Sequence, residues 1–109
     1  MGSPQIANLE KLLGTPRDGA LLRFSLGNAY LKAGDAGRAI EHLREAVARD
    51  PRYSAAWKAL GRALESGALE REALEAYRRG IDAAQAKGDR QAEKEMGVFA
   101  RRLEKRLGA

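Results

Sequence analysis

Any chemistry done by this chain would rest on a short list of side chains. Its 109 residues include one histidine, His42, and no cysteine. Thiolate nucleophiles and disulfides are therefore excluded. With no second His and no Cys beside it, His42 lacks the donor set of a transition-metal site. A general base would also need a partner and a pocket, and nothing in the spacing supplies them. His42 directly precedes the apolar Leu43 and is expected to face solvent. Asp35, Glu41, Glu45, Glu65, Glu70 and Glu75 fall among Arg and Lys at helical spacing. Pairs such as Glu41–Arg44 and Glu75–Arg78 read as surface pairing worth roughly 0.2–0.5 kcal/mol, not as acid–base couples. The glycines form no phosphate-cradling loop. No catalytic residue, metal or cofactor is expected.

What remains is binding. Net charge is +5 and the pI is near 9.9, but 15 acidic residues are mixed with 20 basic ones. That balance mildly favours acidic partners. The densest basic cluster is Arg101-Arg102-Leu103-Glu104-Lys105-Arg106, which suits nucleic acid or an anionic membrane in principle. Glu104 interrupts it and stacking aromatics are few, so a solubilising terminal helix is the preferred reading. No apolar run approaches the ~20 residues of a membrane span. The opening Met1-Gly2-Ser3-Pro4-Gln5-Ile6 has no signal-peptide character. Ile6 also stands where a myristoylation motif needs Ser or Thr. A cytoplasmic, bacterial protein is expected.

Six helices are needed to position these groups. Ser3-Pro4 reads as a cap followed by a first-turn proline. Ile6, Leu9, Leu12 and Leu13 then share a face, and Gly14-Thr15-Pro16 ends the helix. Asp18 is placed to cap a second helix bearing Leu22, Leu26, Ala29 and Ala33. After the turn at Gly34, Asp35 caps a third, with Ala39, Ile40, Leu43, Ala46 and Val47 at helical spacing. Asp50-Pro51 stops it. A fourth covers about residues 53–66, with Trp57, Leu60 and Leu64. Gly67 breaks it, and a fifth covers about 69–87, with Ala73, Leu74, Tyr77 and Ile81. After Gly88-Asp89 a sixth carries Ala92, Met96, Phe99, Leu103 and Leu107.

The chain matches itself when shifted by 34 residues. Leu26-Gly27 falls on Leu60-Gly61, Ala29 on Ala63, Ala39 on Ala73, Glu41 on Glu75 and Arg44 on Arg78. One copy reads Arg23-x2-Leu26-Gly27-x2-Tyr30, then Ala39-x3-Leu43 and Pro51. The next reads Trp57-x2-Leu60-Gly61-x2-Leu64, then Ala73-x3-Tyr77. This period and pattern resemble the tetratricopeptide repeat. The first copy lacks the Trp and the second lacks the closing Pro, where Gln85 stands. The resemblance implies an all-α fold, an α-solenoid of two helix pairs, without catalysis. One domain is expected: a leading helix at 3–14, repeats at 20–53 and 54–87, and a capping helix at 89–107. The flanking helices make up for a repeat number below the usual minimum of about three. A two-residue insertion is expected to place Met96-Gly97 over Leu60-Gly61, sending Ala92, Met96, Phe99 and Leu103 into the core.

In such stacks the first helix of each pair lines a concave groove. The expected partner-binding residues are Phe24, Asn28, Leu31, Lys58, Arg62, Lys94 and Arg101. The four cations would hold carboxylates by charge-assisted hydrogen bonds, Phe24 and Leu31 would take an apolar side chain, and Asn28 would bond backbone. The expected partner is an acidic or mixed acidic-apolar protein segment. The alternatives are homo-oligomerisation and weak nucleic-acid binding through the last helix. Some family members grip a C-terminal carboxylate of chaperone tails with a clamp of Lys, Asn and Arg. Here only Asn28 matches it. Phe24, Ala59, Gln91 and Glu95 stand at its other places, so that partner is not expected.

Overall fold

The computed structural model describes residues 3–108, so Met1 and Gly2, weighed above as a lipidation start, lie outside the described residues. Among the described residues six helices follow one another: α1 (Pro4–Glu10), α2 (Ala20–Lys32), α3 (Ala36–Arg49), α4 (Ser54–Ser66), α5 (Glu70–Lys87) and α6 (Arg90–Leu107). Each helix packs on the next. In addition α4 touches both α2 and α6, whereas the backbones of α3 and α5 stay apart and are bridged by the Arg44–Glu72 ion pair at 2.6 Å. The stack therefore closes on the α2–α4–α6 side, which makes that layer the inner wall of a curved solenoid measuring 41 × 30 × 19 Å. Among the described residues there is no strand, and no helix is long and apolar enough to cross a membrane.

Side-chain caps set three of the starts. The Ser3, Asp35 and Asp89 side chains accept from the backbone N–H groups of Ile6, Arg38 and Ala92, at 3.2, 3.1 and 3.1 Å. Asp18 does not cap α2, as the sequence had suggested. Gly19 holds the cap position without a side-chain bond. Asp18 instead accepts from the Gly14 N–H (3.0 Å) and from Arg23 Nε (2.9 Å). Helix α1 is also shorter than the pattern implies. Beyond Glu10 the N–H groups of Leu12 and Leu13 bond three residues back, to Leu9 and Glu10. Leu12 and Leu13 thus reach the core from a turn, not from a helix face.

The core runs the length of the stack. Leu26, Ala39, Leu43, Ala56, Ala63, Ala73, Tyr77, Met96 and Leu103 are fully buried. The two packing glycines explain why. A Cβ on Gly27 would lie 2.3 Å from Leu43 Cγ, and one on Gly61 would lie 2.3 Å from Tyr77 Cε1. The helices of each pair can approach only because these positions carry no side chain. The inserted register of α6 is the one observed: Met96 and Leu103 are buried, and a Cβ on Gly80 would lie 2.4 Å from Met96 Sδ. Ala92 and Phe99 are only partly buried, and Ala100 takes a core place. The Phe99 ring tilts against Tyr77 at 5.4 Å, at the groove wall.

Candidate groove and open end

The inner wall is assembled from repeat-equivalent positions. Phe24, Lys58 and Lys94 occupy the same place on α2, α4 and α6. So do Asn28, Arg62 and Val98, and likewise Leu31, Glu65 and Arg101. On α2 the Phe24 ring lies 4.9 Å from Tyr53, the residue just before α4. On α4, Lys58 Nζ meets Glu95 Oε1 at 2.8 Å, and Glu65 meets Arg102 at 3.5 Å. This set of positions therefore binds each inner helix to the next.

Lys58 is accordingly not a free cation. The ammonium holds the Glu95 carboxyl below the usual range, with a smaller contribution from Gln91. Sequence reasoning missed this because Glu95 is 37 residues away, and only the two-residue insertion brings it opposite. Leu31, Arg62, Glu65, Ser66, Tyr77, Phe99 and Arg102 line one shallow depression of about 460 Å³. Tyr77 donates to Glu65 Oε2 at 2.6 Å. Burial pushes the Tyr77 hydroxyl well above its ordinary value, and the Glu65 bond pushes the same way. Among the cations here, Arg62 is exposed and makes no ion pair among the described residues.

Lys94 and Arg101 are not brought to Lys58 and Arg62. They line a separate notch of about 510 Å³ with Ile81, Glu93, Gly97 and Val98, where α6 meets α5 at the end of the stack. The basic cluster is likewise divided. Arg102 pairs with Glu65 and Arg106 with Glu70, while Arg78 holds Glu104 at 2.8 Å. Arg101 and Lys105 remain without carboxylate partners among the described residues. The pairs of Arg102, Arg106 and Arg78 tie α6 to α4 and α5.

His42 is half-buried, not the solvent-facing residue the sequence suggested. Its ring stacks on Tyr30 at 5.6 Å with 4° between planes, and its Nδ1 is buried without a hydrogen-bond partner. Burial pushes its pKa down, and the nearby Arg23 adds to the effect. It is a packing residue between α2 and α3. The described residues contain no His, Cys, Asp and Glu cluster that would hold a metal ion.

The profile of the tetratricopeptide repeat matches residues 24–88, more than half of the chain. The chain belongs to the tetratricopeptide-repeat family. A TPR repeat-containing protein of Pseudomonas aeruginosa is 51% identical over 100 residues, covering 92% of this chain and 95% of the relative. The solution structure of a Bordetella parapertussis protein superposes with a TM-score of 0.80 at 40% identity, covering 97% of this chain and 91% of that one. The Sgt2 TPR domain of Aspergillus fumigatus superposes at 0.79 with 27% identity, covering 94% and 66%. This tetratricopeptide protein thus has the architecture of a protein-interaction module, in a family whose members are typically non-catalytic adaptors.

Proposed function

We propose that this tetratricopeptide protein is a non-catalytic adaptor that binds an extended or helical segment of another protein in the groove of α2, α4 and α6. The observation that carries this is the make-up of the depression between α4 and α6. Leu31, Tyr77 and Phe99 give it an apolar floor, and the unpaired Arg62 stands at its edge. A segment with an apolar side chain beside a carboxylate matches that pairing: Leu31 and the Phe99 ring take the first, and the guanidinium takes the second through charge-assisted bonds. Phe24 and Asn28 extend the wall toward α2. Lys58 contributes only when a ligand carboxylate displaces Glu95. The preference is therefore for mixed acidic-apolar segments more than for purely acidic ones.

An array of short extended peptides, each with one acid beside an apolar residue, with matched arrays in which Lys replaces the acid, tests this. Retention of acidic-apolar sequences by the wild type and their loss with Arg62→Glu is expected, while Lys94→Glu/Arg101→Glu retains them. Equal retention of both arrays, or indifference to Arg62→Glu, would reject the groove. Self-association has weaker support. The large exposed apolar residues Leu21, Leu69 and Val98 are scattered over α2, the turn before α5, and α6, and form no common patch.

A further inference from the structure

The open face of α6 repeats, without an occupant, the surface that α4 uses to hold α6. Gly27 receives Leu43 and Gly61 receives Tyr77, but nothing from a neighbouring element fills the space at Gly97. The nearest atom to a Cβ built there is the Arg101 Nη1, at 3.4 Å. Lys94 stands where Lys58 stands, yet makes no ion pair among the described residues. Arg101 stands where Glu65 stands, and it too has no carboxylate. Between them Val98 is 52% exposed, and Ile81 of α5 walls the notch.

We infer that this end is a second docking surface, distinct from the groove, which takes an acidic helical hairpin from another protein as the next unit of the stack. The internal junction says what such a hairpin must carry. Lys58 is satisfied by Glu95, so Lys94 calls for a carboxylate at the place equivalent to Glu95. Glu65 is satisfied by Arg102, and because Arg101 reverses that charge, the partner needs a second carboxylate where Arg102 stands, seven residues further on. Apolar side chains between them, placed as Met96 and Phe99 are relative to Glu95, would cover Val98 and Ile81. A bulky residue on the hairpin's second helix would enter the notch at Gly97, as Leu43 and Tyr77 enter theirs.

A second copy of this chain does not fit. At the two required places α2 offers Ser25 and Lys32, and α4 offers Ala59 and Ser66. At the same places another α6 would offer Glu95, already held by Lys58, and Arg102, which sets like charge against Arg101 and costs association. Helix α6 itself holds six Lys and Arg, namely Arg90, Lys94, Arg101, Arg102, Lys105 and Arg106, against Glu93, Glu95 and Glu104. The complementary partner is acidic.

The probe is a fluorescein-labelled, lactam-stapled synthetic helix with Glu at i and i+7 and apolar residues at i+1, i+4 and i+8. Its anisotropy is read against the full chain. Lys94→Glu/Arg101→Glu alters two exposed side chains, so the fold persists, as its unchanged melting would show. This variant is expected to bind the probe about tenfold or more weakly, and a probe with Lys at both places should recover the loss. Arg62→Glu should leave binding unchanged. Absence of wild-type binding, or equal binding by the double variant, would overturn the inference. So would loss with Arg62→Glu alone, which would return the ligand to the groove. A dimer in sedimentation that Lys94→Glu/Arg101→Glu dissolves would give the face to a second copy. Uptake of a random oligonucleotide in place of the probe would give it to polyanions.

Discussion

The two complete helix pairs share one backbone plan and solve the same corner with opposite chemistry. In α4 the corner is filled by Trp57, 8% exposed, whose Nε1 donates to the Pro51 carbonyl at 2.7 Å. In α2 the same place holds Arg23, whose Nε and Nη2 bond both oxygens of Asp18 at 2.9 and 3.1 Å. Arg49 Nη1 of α3 closes on Asp18 as well, reaching the Asp18 carboxylate at 3.4 Å and donating to the Asp18 carbonyl oxygen. A single aromatic ring in one repeat thus corresponds to a three-residue ionic knot in the other. The ring works through area removed from water and is insensitive to pH. The knot works through charge and geometry and depends on the ionisation of Asp18. The ring lies between two other repeat elements, whereas the knot sits near the start of the stack, where α1 gives thinner cover.

The sharpest way to break this contrast is to remove each corner. Trp57→Ala should cost about 3–5 kcal/mol, because it empties a buried site that touches α5 through Gly80. Arg23→Ala should cost visibly less, since its guanidinium is partly exposed. Urea melts of the two variants test this, and equal midpoints would show that the aromatic corner has no privileged role.

The packing glycines should separate next. Both Gly27 and Gly61 exclude a Cβ by the same distance, but their neighbours differ. Both side chains are fully buried, but the Tyr77 ring is also tied by its hydroxyl to Glu65, whereas Leu43 has no such tether and can shift. Gly61→Ala should therefore cost about 2–3 kcal/mol and Gly27→Ala about 1–2 kcal/mol. Thermal denaturation would reverse the idea if Gly27→Ala proved the worse.

A smaller difference has the opposite sign. The turn between paired helices needs a left-handed residue. The first repeat supplies Gly34 at φ 82°, and the second places Ala68 there at φ 60°. A Cβ in this region costs roughly 1 kcal/mol. Ala68→Gly should raise stability by somewhat under ~1 kcal/mol, the gain being trimmed by glycine's greater freedom when unfolded. A lower melting temperature would show that the turn is not strained.

Much of this was legible in the sequence because the repeat is local. Leu26-Gly27, Ala39, Trp57, Gly61 and Tyr77 carry their structural meaning in their spacing, and the buried Met96 fixed the register of α6. What escaped was set by long-range geometry. The Lys58–Glu95 pair depends on how two helices, separated by a whole α5, lie against each other. Asp18 looked like a cap because it sits just before a helix, and only the return of Arg49 made it a knot. His42 looked exposed because its helical position is at the edge of the apolar stripe, where Tyr30 decides the outcome. Lys94 and Arg101 were assigned to the groove because periodicity says which face of α6 is polar, not where the stack ends.

Acid should finally distinguish the charged corner from its surroundings, in two windows. The Arg23 hydrogen bonds, with the Gly14 N–H, hold the Asp18 carboxyl well below its ordinary value of 3.8. A depressed carboxylate stabilises the fold fully above that value, and the contribution is lost as pH falls below it. His42 is depressed from 6.5 by burial. The unfolded chain then binds its proton more readily than the folded one, so stability starts to fall as pH drops below about 6.5 and levels off below the folded pKa. His42→Phe keeps an aromatic ring on Tyr30 and removes the proton site, so the upper slope should vanish while the lower one remains. Asp18→Asn should lower stability at neutral pH and shrink the lower slope, to which the depressed Glu95 and Glu45 carboxyls also contribute, while leaving the upper one. Melting temperatures from pH 7.5 to 2.5 for both variants would resolve the pair. If the upper slope survived His42→Phe, the acid response would have to come from carboxylates alone, and the buried Nδ1 would be of no consequence to folding.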